Sequence, residues 1–289
     1  MKLDNFEKMK HSIFDADLVL VGLGEEWVLS GNAIVSDLEH KDTVLKVLLE
    51  TAYEQETFQK LVPLLEGYYY THYMPKEFAL AYDNLKNLIE NKNYFVVSLT
   101  IDPYLQKCGF REERIVNPCG TIQKMQCDVG CNEHLVSSDT LFAQIENVIR
   151  CFDYDDHIGQ KETEDLLQKC ASILETFRCE TCGNQLDFNT LSVKKYREEG
   201  YLAQWQIYMK WLQGTLNKKL CVIEAGVGMK FPSVIRWPFE KTVFYNQKAK
   251  MFRIHEKYYQ VNEEIASRSF SCNKNAVQFF AEKKVEVSL

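Results

Sequence analysis

Two short apolar runs that end in glycines, "DLVLVGLG" at 17–24 and "LCVIEAGVG" at 220–228, constrain this chain more than any other feature. A continuous aliphatic run with no polar alternation suits a strand buried on both faces, and the glycines suit the turn that follows it. "NYFVVSLTID" (93–102), "RIVN" (114–117) and "AKMFRIHE" (249–256) read as further strands. Helical spacing separates them. It runs from Lys41 to about Asn91, as in "TVLKVLLETAY" and "FALAYDNLKNLIENK", with Pro63 and Pro75 interrupting or starting helices. "EEGYLAQWQIYMKWLQGTL" reads as another helix. Strands alternating with helices imply an α/β fold, a Rossmann-like doubly wound parallel sheet, with ligands expected at the strands' carboxyl ends.

Charge and patterning narrow the function classes. The net charge is −7 and no run of Lys and Arg stands out, which disfavours a nucleic-acid partner. The first residues, MKLDNFEKMKHSIFDAD, are too polar for a signal peptide. No apolar run approaches the roughly 20 residues of a membrane-spanning helix. A cytoplasmic protein with no membrane partner is the expectation.

Ten cysteines in a reducing compartment point to buried thiols or metal ligands. Cys108, Cys170, Cys221 and Cys272 stand singly and read as small buried hydrophobes, while Cys151 stays undecided. Cys127-x3-Cys131 and Cys179-x2-Cys182 are different, because two short-spaced pairs can enclose a zinc ion in a thiolate tetrahedron. "CETCG" is the stronger half, its glycine allowing the tight turn of a knuckle. His134 is a further candidate ligand, and four free thiols are the alternative reading. A closed four-thiolate site has no open position, so such a zinc would be structural. The domain plan is a Rossmann-like domain of residues 1–126 and 183–289, with a zinc-binding module inserted at 127–182.

The order of "NYFVVSLTID", "GFREERIVNPCGTIQKMQC", "CETCG" and "IEAGVGMKFPSVIRWPFE" resembles the sirtuins. It is most similar to the bacterial branch that includes the class M, macrodomain-linked ADP-ribosyltransferases. The resemblance covers about residues 15 to 256 and implies a Rossmann domain that binds NAD beside a small zinc domain. It places Gly22, Gly24, Gly226, Gly228 and His255 at the cofactor. His255 stands where the family has an asparagine near the adenosine ribose, and an exposed strand-end histidine is the plain alternative.

The departures fall on the catalytic letters. Where sirtuins carry G-A-G-x-S, this chain has Gly22-Leu23-Gly24-Glu25-Glu26, whose glutamates would repel a diphosphate. The T-Q-N-x-D segment appears as Ser98 to Asp102, with Thr100 in place of the asparagine and Asp102 kept. The histidine base of the family, eight residues before the first zinc cysteine, is Cys119 here. A thiol of ordinary pKa, about 8.5, is a poor proton acceptor beside an imidazole at about 6.5. The expected catalytic positions are therefore Cys119, Asp102 and Thr100, in a protein that has lost deacylation. Three readings follow: a transferase that binds NAD or ADP-ribose and modifies a protein, acylated or otherwise modified; a catalytically inactive binding protein with a structural zinc; or a different chemistry with Cys119 as nucleophile. A packing role for Cys119 stands beside all three.

Overall fold

The computed structural model describes residues 5–151 and 158–282. The described residues form two compact units, one drawn from 1–28, 76–120 and 201–289, the other from 29–75 and 121–200.

The first unit is an all-parallel six-stranded sheet. Its strands are β1 (Leu18–Leu23), β2 (Asn93–Ser98), β3 (Ile115–Val116), β7 (Leu220–Ala225), β8 (Lys250–Ile254) and β9 (Ser269–Cys272), ordered β3-β2-β1-β7-β8-β9. The strands β4 (Gly120–Cys127), β5 (Val136–Ser137) and β6 (Leu186–Thr190) build a separate sheet. The strand order reverses between β1 and β7, and in Rossmann folds such a switch point is where the ligand crevice lies, at the carboxyl ends. The five strands read from apolar runs are all present, and β9 adds an edge strand that has no such run.

Both faces of the sheet are dry, which explains the lack of polar alternation in its central strands. Leu18, Leu20, Phe95, Val97, Leu220 and Val222 point to one face and share a core with Ile235, Phe239 and Val243 of the helix region 235–245 and with Tyr208 of the helix Leu202–Gln213. Val19, Val21 and Leu23, on the opposite side of the pleat, are fully buried as well. Gly22 lies against the first core, where a Cβ would come within 2.5 Å of Ile235 Cγ2. The helices Asn5–Asp15, Lys76–Ile89 and Ala276–Ala281 pack on one another through Phe6 against Phe279 and through Trp27 against both Tyr82 and Phe280.

The second unit holds a three-stranded sheet, β5-β4-β6, in which β4 and β5 run antiparallel with Lys124 opposite Ser137. It also holds the helices Thr43–Glu54, Val62–His72, Asp139–Ile149 and Gln160–Thr176. Asp42 caps the first of these by accepting from the Leu45 amide. Phe142 and Phe188 stack over Gly67, where a Cβ would meet the Phe142 ring at 2.9 Å. Among the described residues no helix is long and apolar enough to cross a membrane.

Candidate functional site

Four sulfurs meet in the second unit. The Sγ atoms of Cys127, Cys131, Cys179 and Cys182 all lie within 4.8 Å of one another, with 3.5 Å between Cys127 and Cys182 and between Cys131 and Cys179. A tetrahedron with metal–sulfur bonds of about 2.3 Å sets its sulfurs about 3.8 Å apart, so the spacing fits a thiolate-bound ion such as zinc. Each pair sits on a knuckle whose glycine has positive φ, Gly130 at 60° and Gly183 at 73°. The backbone amides of Cys182 and Thr181 point at the Cys179 sulfur and, with its neighbouring thiols, bring that thiol down to about 6, which favours the thiolate a metal needs. Asn132 Nδ2 donates to both Cys131 and Cys179, and Asn184 Nδ2 to Cys182. His134 is outside the cluster, its amide held by the Asn132 side chain.

The remaining cysteines divide by burial. Cys170 and Cys221 are buried and pushed up to about 12, chiefly by burial. Cys108 and Cys272 are half-buried, and Cys151 is exposed.

The carboxyl edge of the first unit's sheet is formed by the loops after β1, β2, β7 and β8. At the end of β2, Thr100 is fully buried, its hydroxyl 3.0 Å from that of Ser98, and its carbonyl accepts from Asn117 Nδ2 at 3.1 Å. Asp102 is 6% exposed and accepts from the Tyr104 amide at 2.9 Å. Burial outweighs that bond and raises its acid to about 6. Cys119 is 4% exposed and belongs to the apolar core with Val97, Leu99, Val116 and Ile235. Burial, and then the Glu25 carboxylate, push its thiol up to about 12. At neutral pH Cys119 is a neutral thiol, neither a base nor a nucleophilic thiolate.

The loops after β1 and β7 interlock. The Gly24 amide donates to Ala225 O and the Glu26 amide to Gly226 O. Gly24 lies directly on the backbone of Gly226 and Val227, leaving no room for a Cβ. Gly226 has φ of 67°, a conformation that favours glycine. The glycines at this switch point are thus required by contacts inside the chain.

Glu25 and Glu26 point inward. Glu25 Oε2 accepts from the Gly228 amide at 2.6 Å and Oε1 from Lys230 at 3.2 Å. Glu26 Oε1 accepts from the Glu256 amide at 2.9 Å and Oε2 from Ala276 at 2.7 Å. Burial raises the Glu26 acid against those bonds. His255, just past β8, is 6% exposed, so it is no surface residue. Its Nδ1 accepts from the amides of Lys257 and Tyr258 at 3.0 and 3.2 Å. Burial and then the Arg236 cation lower its pKa to about 4. The imidazole is therefore neutral, with its proton on Nε2, and the 3.1 Å approach of Nδ1 to Glu26 Oε1 is no ion pair at neutral pH.

Beneath the loops lies a charged network that sequence reasoning missed. Glu224 of β7 is fully buried and receives Arg253 Nη2 of β8 at 2.9 Å on Oε2. Arg253 Nε lies 2.8 Å from Glu224 Oε1, close enough for an ion pair but out of line for a hydrogen bond, and Nη2 is also 2.8 Å from Glu240. Arg236 Nη2 donates to Val227 O at 3.0 Å and Tyr258 O at 2.5 Å, and Arg253 Nη1 donates to Gln260 O at 2.5 Å. Two cations and two carboxylates thereby pin the loops after β7 and β8. The sequence signal was three charges set in apolar surroundings, Glu224, Arg236 and Arg253.

No family model matches the chain. A solved Sir2 complex with p53 peptide and NAD+ superposes with a TM-score of 0.51 at 14% identity, over 98% of this chain and 97% of that one. The chain has the sirtuin fold. Two curated relatives extend the likeness to sequence. A "Protein ADP-ribosyltransferase" of Staphylococcus aureus (strain Mu50) is 19% identical over 279 residues, 93% of this chain and 83% of the relative. A "Probable bifunctional ADP-ribose hydrolase/ADP-ribosyltransferase" of Fusarium oxysporum f. sp. cubense is 26% identical over 202 residues, 65% of this chain but 31% of the relative. This sirtuin-fold chain is thus a distant relative of ADP-ribosyltransferases, and it spans about a third of the second one's length.

Proposed function

We propose that this protein binds NAD or ADP-ribose at the carboxyl ends of β1, β2, β7 and β8 and transfers ADP-ribose to a protein, with sirtuin deacylation lost. The observation that carries the reading is Cys119, a core thiol held near 12 at the position where the resemblance puts a histidine base. Deacylation needs a group there that takes a proton from a ribose hydroxyl near pH 7, and a neutral thiol cannot. The names of the two sequence relatives support the transfer, and the bound NAD+ and peptide of the Sir2 complex support the ligand and the kind of partner.

When bound, NAD supplies an ADP-ribosyl group on a bond to nicotinamide that breaks with positive charge developing on the ribose. The chain's own contribution at this end is Asp102, a carboxyl at about 6 that is largely ionised at pH 7 and suited to stabilising positive charge or holding a proton. Thr100 holds the loop through Ser98 and Asn117, a positioning role. The four cysteines would hold one structural zinc, which would tie the end of β4 at Cys127 to the turn of Cys179 and Cys182 and leave no open position for chemistry.

A second reading, a silent sirtuin-fold binding protein, is favoured by the saturation of Glu25 and Glu26 with backbone donors. Isotope-labelled NAD separates the two. Label transferred to protein, located by mass spectrometry, is the expected result. Absence of transfer from a preparation that binds NAD in calorimetry would favour the silent reading.

A further inference from the structure

The carboxylates of Glu25 and Glu26 each accept two backbone N–H groups, from Gly228 and Lys230 and from Glu256 and Ala276. Gly228, Lys230 and Glu256 lie in the loops after β7 and β8, and Ala276 opens the short helix after β9, at the carboxyl edge where a Rossmann sheet presents backbone donors to a ligand's phosphates. A carboxylate with two acceptor oxygens is a fair mimic of one face of a phosphate. Both side chains arise from one short turn after β1, Glu25–Trp27, which Trp27 anchors by complete burial against Tyr82 and Phe280.

We propose that Glu25 and Glu26 are internal stand-ins for a ligand's phosphates, occupying the loop amides so that a dinucleotide binds only by displacing them. The two residues thus set the charge class of ligand that the free protein accepts. An incoming diphosphate meets two negative charges and finds its donors taken. Arg236 and Arg253 hold the loops after β7 and β8 in place through the carbonyls of Val227, Tyr258 and Gln260. The preceding functional reading supplies only the identity of the displaced ligand. The occupation of the amides stands apart from it.

Calorimetry with inorganic pyrophosphate and with ADP-ribose tests the proposal on three proteins. These are the unmodified chain, the double variant Glu25→Ser/Glu26→Ser, and the milder Glu25→Gln/Glu26→Gln, which keeps one acceptor per side chain. The expected result is that both ligands bind the folded variants about tenfold tighter or more, the size of one recovered charge-assisted bond. A gain for pyrophosphate with no preference for ADP-ribose would uphold the stand-in role and count against the NAD reading. No gain for either ligand in a folded variant overturns the proposal. Amide hydrogen exchange by NMR on the unmodified protein needs no variant: Gly228, Lys230, Glu256 and Ala276 should be protected without ligand, and free exchange there would also overturn it.

Discussion

Asp102 and Cys119 show burial acting on two acids in one crevice with different consequences. The thiol, raised to about 12, is neutral throughout the physiological range, whereas the carboxyl, raised to about 6, still titrates within it. For Asp102 the folded pKa lies above the unfolded value of 3.8, so the native state holds the proton more tightly. Its contribution is fully present below about pH 4 and is lost as pH rises through about 6, a change of about 3 kcal/mol for a two-unit shift. Glu26, also raised by burial, adds a change of the same sign. Urea unfolding between pH 4 and 7.5 should show the unmodified protein losing stability relative to Asp102→Asn, which keeps the oxygen facing Tyr104 and cannot ionise. Parallel pH profiles for the two proteins would contradict the burial account of Asp102.

At the scale of elements, the loops after β7 and β8 are fixed from below by the network of Glu224, Arg236, Glu240 and Arg253. Removing one partner strands a buried charge, so Arg253→Met should cost about 3–5 kcal/mol in chemical denaturation. Adding Glu224→Gln should recover part of that loss; no recovery would show that packing, and not charge, dominates. The parent strands were legible because a strand buried on both faces is mostly apolar: β1 is so throughout, and β2, β7 and β8 are apolar apart from their ends and the paired charges Glu224 and Arg253. β9 was not legible: "SFSC" is a half-exposed edge strand without such a run. β4 and β6 were hidden for a similar reason, since "GTIQKMQC" and "LDFNT" mix polar and apolar residues in a small sheet. The four cysteines were readable from local spacing. The roles of Glu25 and Glu26 were only half readable, because the sequence shows two charges after a glycine turn and their amide partners lie more than 200 residues away.

For the whole molecule, the thiol cluster and the loops at the sheet's carboxyl edge are separable. Protein purified without added metal should carry close to one zinc per chain, and a strong chelator should lower its melting temperature. Metal-binding free energy of about 10 kcal/mol or more is folding free energy in sites of this kind. Folded protein free of metal, with unchanged melting on chelation, would contradict the zinc assignment. The net charge of −7 sets the chain against polyanionic partners generally, consistent with carboxylates taking the amides of the crevice. The central claim is that a sirtuin fold persists here without the proton acceptor that deacylation requires. A deacylase assay on acetylated and longer-chain acylated peptides with saturating NAD, run on the zinc-loaded protein, tests it most directly: no O-acyl-ADP-ribose and no free peptide amine should form, and steady turnover to those products would contradict the account.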